Sequence, residues 1–393
     1  MSGRSGHTGT KALAKTGPTN LAAPKATTTK ATTPNTTVAT TLITGATGFL
    51  GAHLLRVLAA KSEGAAGAKP SRLRILTQAA SVPQWLSDLD VEVVSGSVTD
   101  AGAVERAVAG VDRIYHLAGL VSSKPGDAHR MHDVHVHGTR RLCEAAARAG
   151  VARIVMSSTS GTVAVARRAD EMPDETSPTP MDIVARWPYY ASKVYQEEAA
   201  RRACGDRVEL VMLNPSLLLG PGDDRLSSTR PVLQFLAREI ALVPPGGLNF
   251  VDVRDVATLL PVAMERGTPG ERYLVGGYNW TFAEFLGRLE RLTKVPGPMI
   301  KARGKLPLLA TRAQAAMYRH WGRTPPLEPQ SVEMSEYFWY FDSGKAAREL
   351  GFIPRDATDT LFETVTYIRA NFLGNGALSK KGEPRLSQGL PSP

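Results

Sequence analysis

Residues 38–51 read Val-Ala-Thr-Thr-Leu-Ile-Thr-Gly-Ala-Thr-Gly-Phe-Leu-Gly, and this stretch decides the fold. Val38–Thr44 is short, apolar and rich in β-branched residues, the pattern of a strand buried on both faces. Phe49–Lys61 follows with Leu50, Leu54, Leu55 and Leu58 on one side of a helical period. Between them stand Gly45, Gly48 and Gly51. Glycines are needed where a chain turns tightly and where its backbone must approach a pyrophosphate. The helix that starts there offers free N–H groups and the positive end of its dipole. A strand, a glycine turn and a helix in this order form a pyrophosphate cradle. Gly45, Thr47, Gly48, Phe49, Leu50 and Gly51 are therefore candidate cofactor contacts.

Further along, strand patterns at Leu73–Thr77, Val91–Val94, Arg113–Ala118, Arg153–Ser157 and Leu210–Leu213 are interleaved with helical ones. The helices are expected at Ala103–Ala109 and Arg130–Ala149, the second ended by Gly150. The alternation predicts an α/β chain, a doubly wound parallel Rossmann sheet with a smaller C-terminal substrate-binding domain. The dinucleotide-binding domain is expected over 39–215, with 250–266 returning to it. The Pro- and Gly-rich stretches 216–249 and 268–372 are expected to build the substrate side. Residues 1–38 read as a disordered basic tail and 376–393 as a second loose tail.

Composition excludes several classes. The net charge of +10 suggests nucleic acid until it is divided. Residues 1–39 carry +5 and residues 376–393 carry +2, which leaves a body of only +3. No nucleic-acid partner is expected. No apolar run reaches the ~20 residues of a membrane span, so no integral membrane contact is expected. Cys143 and Cys204 are the two cysteines, too few for a disulfide scaffold and too far apart for a CxxC motif, and a cytoplasmic location fits. The N-terminus lacks the apolar stretch of a secretory signal and is poor in Arg for a transit peptide.

Trp187–Lys193 reads Trp-Pro-Tyr-Tyr-Ala-Ser-Lys. On a helix, Tyr189 and Lys193 share a face. A phenol with pKa near 10 is a poor catalyst at neutral pH, and a nearby ammonium favours its phenolate. The pair lies ~140 residues after the glycine turn, a spacing that gives YxxxK its weight.

The TGxxGxxG turn, together with Val91–Asp100, Val111–Ser122 and the YxxxK pair, resembles the extended short-chain dehydrogenase/reductase superfamily. The match is closest to the dihydroflavonol reductase and 3β-hydroxysteroid dehydrogenase group, over residues 40–372. The resemblance implies NAD(P), with Ser97 and Val98 near the adenine and Leu117, Ala118 and Gly119 along the cofactor. It places Pro215, Ser216 and Leu217 at the nicotinamide, and Tyr189 and Lys193 at the ribose. It implies a catalytic set of Thr159, Tyr189 and Lys193. A hydroxyl run such as Ser157–Ser160 also suits a turn or helix cap. The superfamily's 4,6-dehydratases carry an Asp-Glu pair after that threonine, whereas Ser160 and Gly161 stand here, which disfavours elimination of water.

Several positions depart from the pattern. Gln78, at the end of the second strand, is neither the acid that holds NAD ribose nor the Arg that holds the NADP phosphate. The missing carboxylate favours NADP slightly. Glu63 lies at about the right distance, ~20 residues, but precedes the second strand. Ser97 replaces an Asp. His135 replaces the Asn before VxGT and is expected to give the proton relay an altered pH profile. His129, His132, His135 and His137 drift around an α-helical period, so no metal site is expected. Asp223, Asp224 and Arg225 read as a solvated loop, and Asp255 as a helix N-cap. Met299–Pro325 holds six basic residues and no acid around Leu306–Ala310. It reads as a helix packed on the sheet with its basic face in water, the alternative being a basic lid or weak membrane-surface patch.

These features predict an NAD(P)-dependent oxidoreductase that interconverts a secondary alcohol and a ketone on a small or apolar substrate, with Tyr189 moving the proton. A nucleotide-sugar epimerase with retained NAD and a non-catalytic NAD(P)-binding module are the alternatives. A homodimer is expected by analogy alone.

Overall fold

Strand β1 (Thr40–Thr44) is buried along its whole length, Ile43 in one core and Leu42 in another. A central parallel strand covered on both faces requires this. The computed structural model describes residues 39–64, 72–78, 86, 89–302, 304, 306–321 and 328–373. The two expected tails lie outside the described residues.

After β1 come α1 (Phe49–Gly64), β2 (Arg72–Thr77), β3 (Val91–Ser95), α2 (Ala101–Val108) and β4 (Arg113–His116). Then follow α3 (Ala128–His132), a π-helical segment (Asp133–Gly138), α4 (Thr139–Ala149), β5 (Arg153–Ser157), α5 (Met181–Val184) and α6 (Pro188–Cys204). The chain continues through β6 (Glu209–Pro215), β7 (Leu217–Leu219), α7 (Arg230–Leu236), β8 (Gly247–Asp252), α8 (Val253–Arg266), β9 (Arg272–Val275) and β10 (Tyr278–Thr281). It ends with α9 (Phe282–Thr293), α10 (Leu306–His320), α11 (Pro329–Met334), α12 (Gly344–Leu350) and α13 (Ala357–Ile368).

The main sheet has the order β3-β2-β1-β4-β5-β6-β9, with every pairing parallel. Helices α1, α8 and α12 cover one face and α2, α4 and α6 the other. This is the expected doubly wound Rossmann sheet. The strand order reverses between β1 and β4, where such sheets open a crevice at the carboxyl ends of their strands. A second sheet, β10-β8-β7, builds a separate core with α7, α9 and α13 around Phe235, Phe250 and Phe285.

Several expectations are corrected. The stretch 268–372 divides between the two sheets, because β9 joins the main one and α12 packs beside α8. The long helix from Arg130 is interrupted by the π segment before Gly150, in the left-handed region, ends it. The cap of α8 is Asp252, whose carboxylate accepts the Arg254 N–H. Asp255 instead holds Arg355 through that residue's backbone N–H and Nε, both at 2.8 Å. Asp223 is buried and accepts hydrogen bonds from Ser227, Ser228 and Thr229. Asp224 accepts the hydroxyl of Tyr367, and Arg225 is exposed. Helix α10 packs on α11, and of its residues Thr311 and Ala315 alone are buried.

Candidate active site

At the end of β1 the chain turns through Gly45, with φ at +74°. A Cβ there would stand 2.6 Å from the carbonyl of Leu117, so the chain leaving β4 runs directly against the turn. The Gly48 N–H donates to Gly45 O at 3.0 Å, and a Cβ on Gly51 would come within 2.1 Å of that oxygen. Phe49 and Leu50 then open α1, with Thr47 half-buried before them. The N–H of Leu117 donates to Thr44 O at 3.1 Å, and that of Ala118 to Thr44 Oγ1 at 3.2 Å. These bonds seat Leu117–Gly119 beside the turn.

Helix α6 approaches from the other side. Pro188 stands in its first turn, where its missing N–H costs nothing. Lys193 is buried, and its Nζ donates to the carbonyl of Ser157 at 3.2 Å, at the end of β5. A Cβ on Gly119 would lie 3.7 Å from Lys193 Nζ and 3.2 Å from His135 Nε2. The glycine turn, the chain after β4 and the face of α6 therefore meet at one edge of the sheet.

Burial holds the Tyr189 phenol up at about 12 and pulls the Lys193 ammonium down to about 8, with Glu197 opposing the second shift. The ammonium points at the Ser157 carbonyl, and desolvation outweighs any help it gives the phenolate. At neutral pH Tyr189 is a phenol. Its ring meets the edge of Tyr190 at 5.0 Å, and Tyr190 and Trp187 continue into Trp339 as an aromatic wall. A Cβ on Gly161 would strike the Tyr190 ring at 2.2 Å, so the turn after Thr159 is closed against that wall. Thr159 caps this turn through a long 3.4 Å contact from the Gly161 N–H. The cap reading of the hydroxyl run and a weakly engaged hydroxyl are thus compatible.

His135 sits within the π segment, buried and edge-on to Tyr189. The Leu120 N–H can only donate, so His135 Nε2 is bare and accepts it at 3.0 Å. Nδ1 then carries the proton and donates to Ser192 Oγ at 2.8 Å, which donates on to the Tyr189 carbonyl at 2.7 Å. Burial drives its pKa down to about 2. The expected pH-sensitive relay through His135 is therefore corrected: both ring nitrogens are engaged and the ring stays neutral. The π segment also corrects the α-helical drift of the histidines. His132 and His137 come together, rings 4.9 Å apart, and with Asp133 they bring donor atoms within 4.8 Å of one another.

Two buried networks escape the sequence patterns. His116 bonds Thr44 Oγ1 at 2.7 Å and Thr139 Oγ1 at 2.8 Å, and the Thr139 hydroxyl also accepts Gln196 Nε2. Glu197 Oε1 accepts from Ser158, Thr162 and Asn214 at 2.6–2.9 Å. Tyr189, Lys193 and Glu197 recur at four-residue intervals on α6, and that spacing was the one legible signal for Glu197.

The remaining candidates fall around this edge. Gln78 is exposed just beyond β2, neighbour of β1. Ser97 is engaged with Thr99, through the hydroxyl at 2.8 Å and the N–H at 3.1 Å, and Val98 packs on Gly138. Pro215 ends β6 and Leu217 starts β7, so Asn214–Leu217 is a strand end and a change of sheet rather than a loop. Between them, the buried Ser216 hydroxyl finds no partner among the described residues. Glu63 lies in the last turn of α1, ~20 Å from the glycines at 1.5 Å per residue. The edge fits a dinucleotide: the glycine turn admits no side chain, and the Ser216 hydroxyl at the β6–β7 junction has no hydrogen-bond partner among the described residues.

The comparisons agree. The family model for the NAD dependent epimerase/dehydratase family matches residues 41–276. Sterol demethylase protein B of Methylococcus capsulatus is 32% identical over 333 residues, covering 84% of this chain and 98% of its own. A putative dihydroflavonol 4-reductase of Synechocystis is 31% identical over 335 residues, covering 83% and 94%. The NAD-bound dTDP-glucose 4,6-dehydratase of Streptomyces venezuelae shares the fold at 24% identity and a TM-score of 0.64, over 84% and 97% of the two chains. With the glycine turn, the sheet order and these matches together, the chain belongs to the NAD-dependent epimerase/dehydratase family, within the extended short-chain dehydrogenase/reductases.

Proposed function

We propose that this protein is an NAD(P)-dependent oxidoreductase that interconverts a ketone and a secondary alcohol on an apolar substrate. The observation that carries the reading is the meeting of Lys193, Ser157 and Gly119 with the glycine turn at one sheet edge. In this reading residues 39–215, 250–266 and β9 hold the cofactor, and the second sheet with 328–341 faces the substrate. Gly45, Thr47, Gly48, Phe49, Leu50 and Gly51 would cradle the pyrophosphate. Gln78, Ser97 and Val98 would border the adenosine side, with Leu117, Ala118 and Gly119 along the middle. Pro215, Ser216 and Leu217 would border the nicotinamide, which supplies or takes the hydride when bound.

Tyr189, held as a phenol, donates its proton to the carbonyl oxygen as the ketone is reduced, and recovers one from the alcohol in the reverse direction. Thr159 offers its hydroxyl to the same oxygen. The Lys193 ammonium holds the ribose and compensates negative charge left on the phenolate. A phenol kept protonated at neutral pH favours the reductive direction. The aromatic wall of Tyr190 and Trp339 suits a flat apolar substrate, in keeping with relatives named for a sterol and a dihydroflavonol. NADP is favoured over NAD by the neutral Gln78, and two buried free thiols suit a reducing cytoplasm.

The test is to denature freshly purified protein and identify any released nucleotide. An exchangeable site that takes NADPH and oxidises it with a ketone panel is expected. About one tightly held NAD per chain, with no net NAD(P)H consumption on ketones, would overturn the reading in favour of an epimerase.

A further inference from the structure

We propose that α10 docks the protein on an anionic phospholipid surface. Its apolar residues point the wrong way for a helix that serves a core. Leu306, Leu309, Met317 and Trp321, just past its end, are 76%, 55%, 45% and 60% exposed. Together with exposed Ala313 they recur at i, i+3, i+7, i+11 and i+15, which is one stripe of an α-helix. The buried face, Thr311 and Ala315, lies on the opposite side. A scattered exposed leucine is ordinary, but an aligned stripe in water marks a surface that meets something else.

Charge selects the occupant. Met299–Pro325 contains six basic residues and no acid. Lys301 and Arg312 are exposed, and Arg312 flanks the stripe. Arg319 is paired with Glu328 at 2.6 Å yet keeps about half its side chain in water. An apolar stripe edged by cations, with a tryptophan at one end, is the pattern of a helix lying in a lipid–water interface. No described helix is long and apolar enough to cross a membrane, so α10 would lie on the surface. A second copy of the chain is a poorer occupant, since a two-fold contact would bring the same cations face to face. Position adds a purpose: α10 packs on α11, and the chain after α11 carries Trp339 to the wall beside Tyr189. Docking would bring the substrate side to a lipid reservoir, although the proposal stands without the assigned chemistry.

The test is sedimentation of the full chain with vesicles of phosphatidylcholine alone, or with about a third phosphatidylglycerol, followed by tryptophan emission. Binding to the anionic vesicles with a blue-shifted emission is expected, at least about tenfold weaker on phosphatidylcholine and weakened by salt. The uncharged double variant Leu309→Ser/Met317→Ser should lose at least about tenfold in affinity with an unchanged melting temperature. Unchanged binding by this variant would assign the attachment to the basic N-terminal tail and overturn the proposal. So would absence of binding to anionic vesicles, or a wild-type dimer that the variant splits without any vesicle binding.

Discussion

The inner face of α6 and the outer face of α10 invert the usual distribution of residues in opposite ways. On α6, Lys193, Gln196 and Glu197 are buried, and Glu197 alone gathers three hydroxyl or amide donors on one oxygen. On α10, the apolar stripe stands in water while a threonine and an alanine take the inside. Folding alone asks for neither. A buried ammonium carries a desolvation penalty that its surroundings must offset, and an exposed apolar stripe forgoes burial available elsewhere. Local rules are broken where a protein does something besides fold. The two helices can therefore be separated by experiment: substitutions on α6 should be felt in chemistry or stability, and those on α10 in neither.

The largest effect is expected from Tyr189→Phe. If Tyr189 moves the proton as proposed, removing its hydroxyl should lower kcat by about 10²–10⁴-fold, with nucleotide affinity near that of the wild type. Titration of NADPH alongside steady-state rates would show it, and retained turnover would remove Tyr189 from the chemistry. Glu197→Gln should come next. The amide retains one acceptor oxygen but lacks the charge that three donors and Arg272 address, so a loss of about 2 kcal/mol in stability is expected by denaturant unfolding.

How much of this was legible depended on distance along the chain. Gly45, Gly48 and Gly51 are short-range patterns, and so is the spacing that sets Tyr189 and Lys193 on one helix, but the burial that raises the Tyr189 phenol and the Ser157 carbonyl that takes the Lys193 ammonium are long-range. Gln78 and Glu63 could be placed from strand order alone. The four-residue spacing on α6 points to Glu197, but its partners Ser158, Thr162 and Asn214 lie up to 39 positions away, and no local period announces them. The state of His135 is set by Leu120 and Ser192, contacts that only the packed chain provides and that no local pattern shows. The π segment was invisible for a related reason: an extra residue in a turn leaves the apolar pattern of Arg130–Ala149 nearly unchanged. The reversed face of α10 is not legible, because an amphipathic sequence does not state which face is covered.

Lys193 allows a sharper test, since one group should leave two signatures in pH. Its folded value of about 8 lies below the unfolded value near 10.5, so between those values the unfolded chain binds more protons. Stability should rise with pH across that window, and below pH 8 the penalty is present in full. Lys193→Met removes the group. The variant should gain about 1 kcal/mol relative to the wild type at pH 7, after the lost bond to Ser157 is counted, and the wild type should overtake it before pH 10. Ketone reduction by the wild type should fall above pH 8 as the ammonium is lost. A gap independent of pH would mean that burial leaves the Lys193 pKa at its unfolded value, so that the buried ammonium carries no penalty.

The smallest effect completes the contrast. Leu309→Ser on α10 removes an apolar side chain that water already reaches, so little transfer energy is lost and no cavity opens. The expected change is within about 0.5 kcal/mol by denaturant unfolding. Leu233→Ala on α7, a leucine buried in the second core, should cost about 2–5 kcal/mol under the same conditions. Equal losses at the two sites would mean that α10 is covered in solution, and that its stripe serves the fold after all. A loss confined to Leu233 leaves the stripe free for a partner outside the chain, because it is the alignment of Leu306, Leu309, Met317 and Trp321 in water, and no single leucine, that marks the surface.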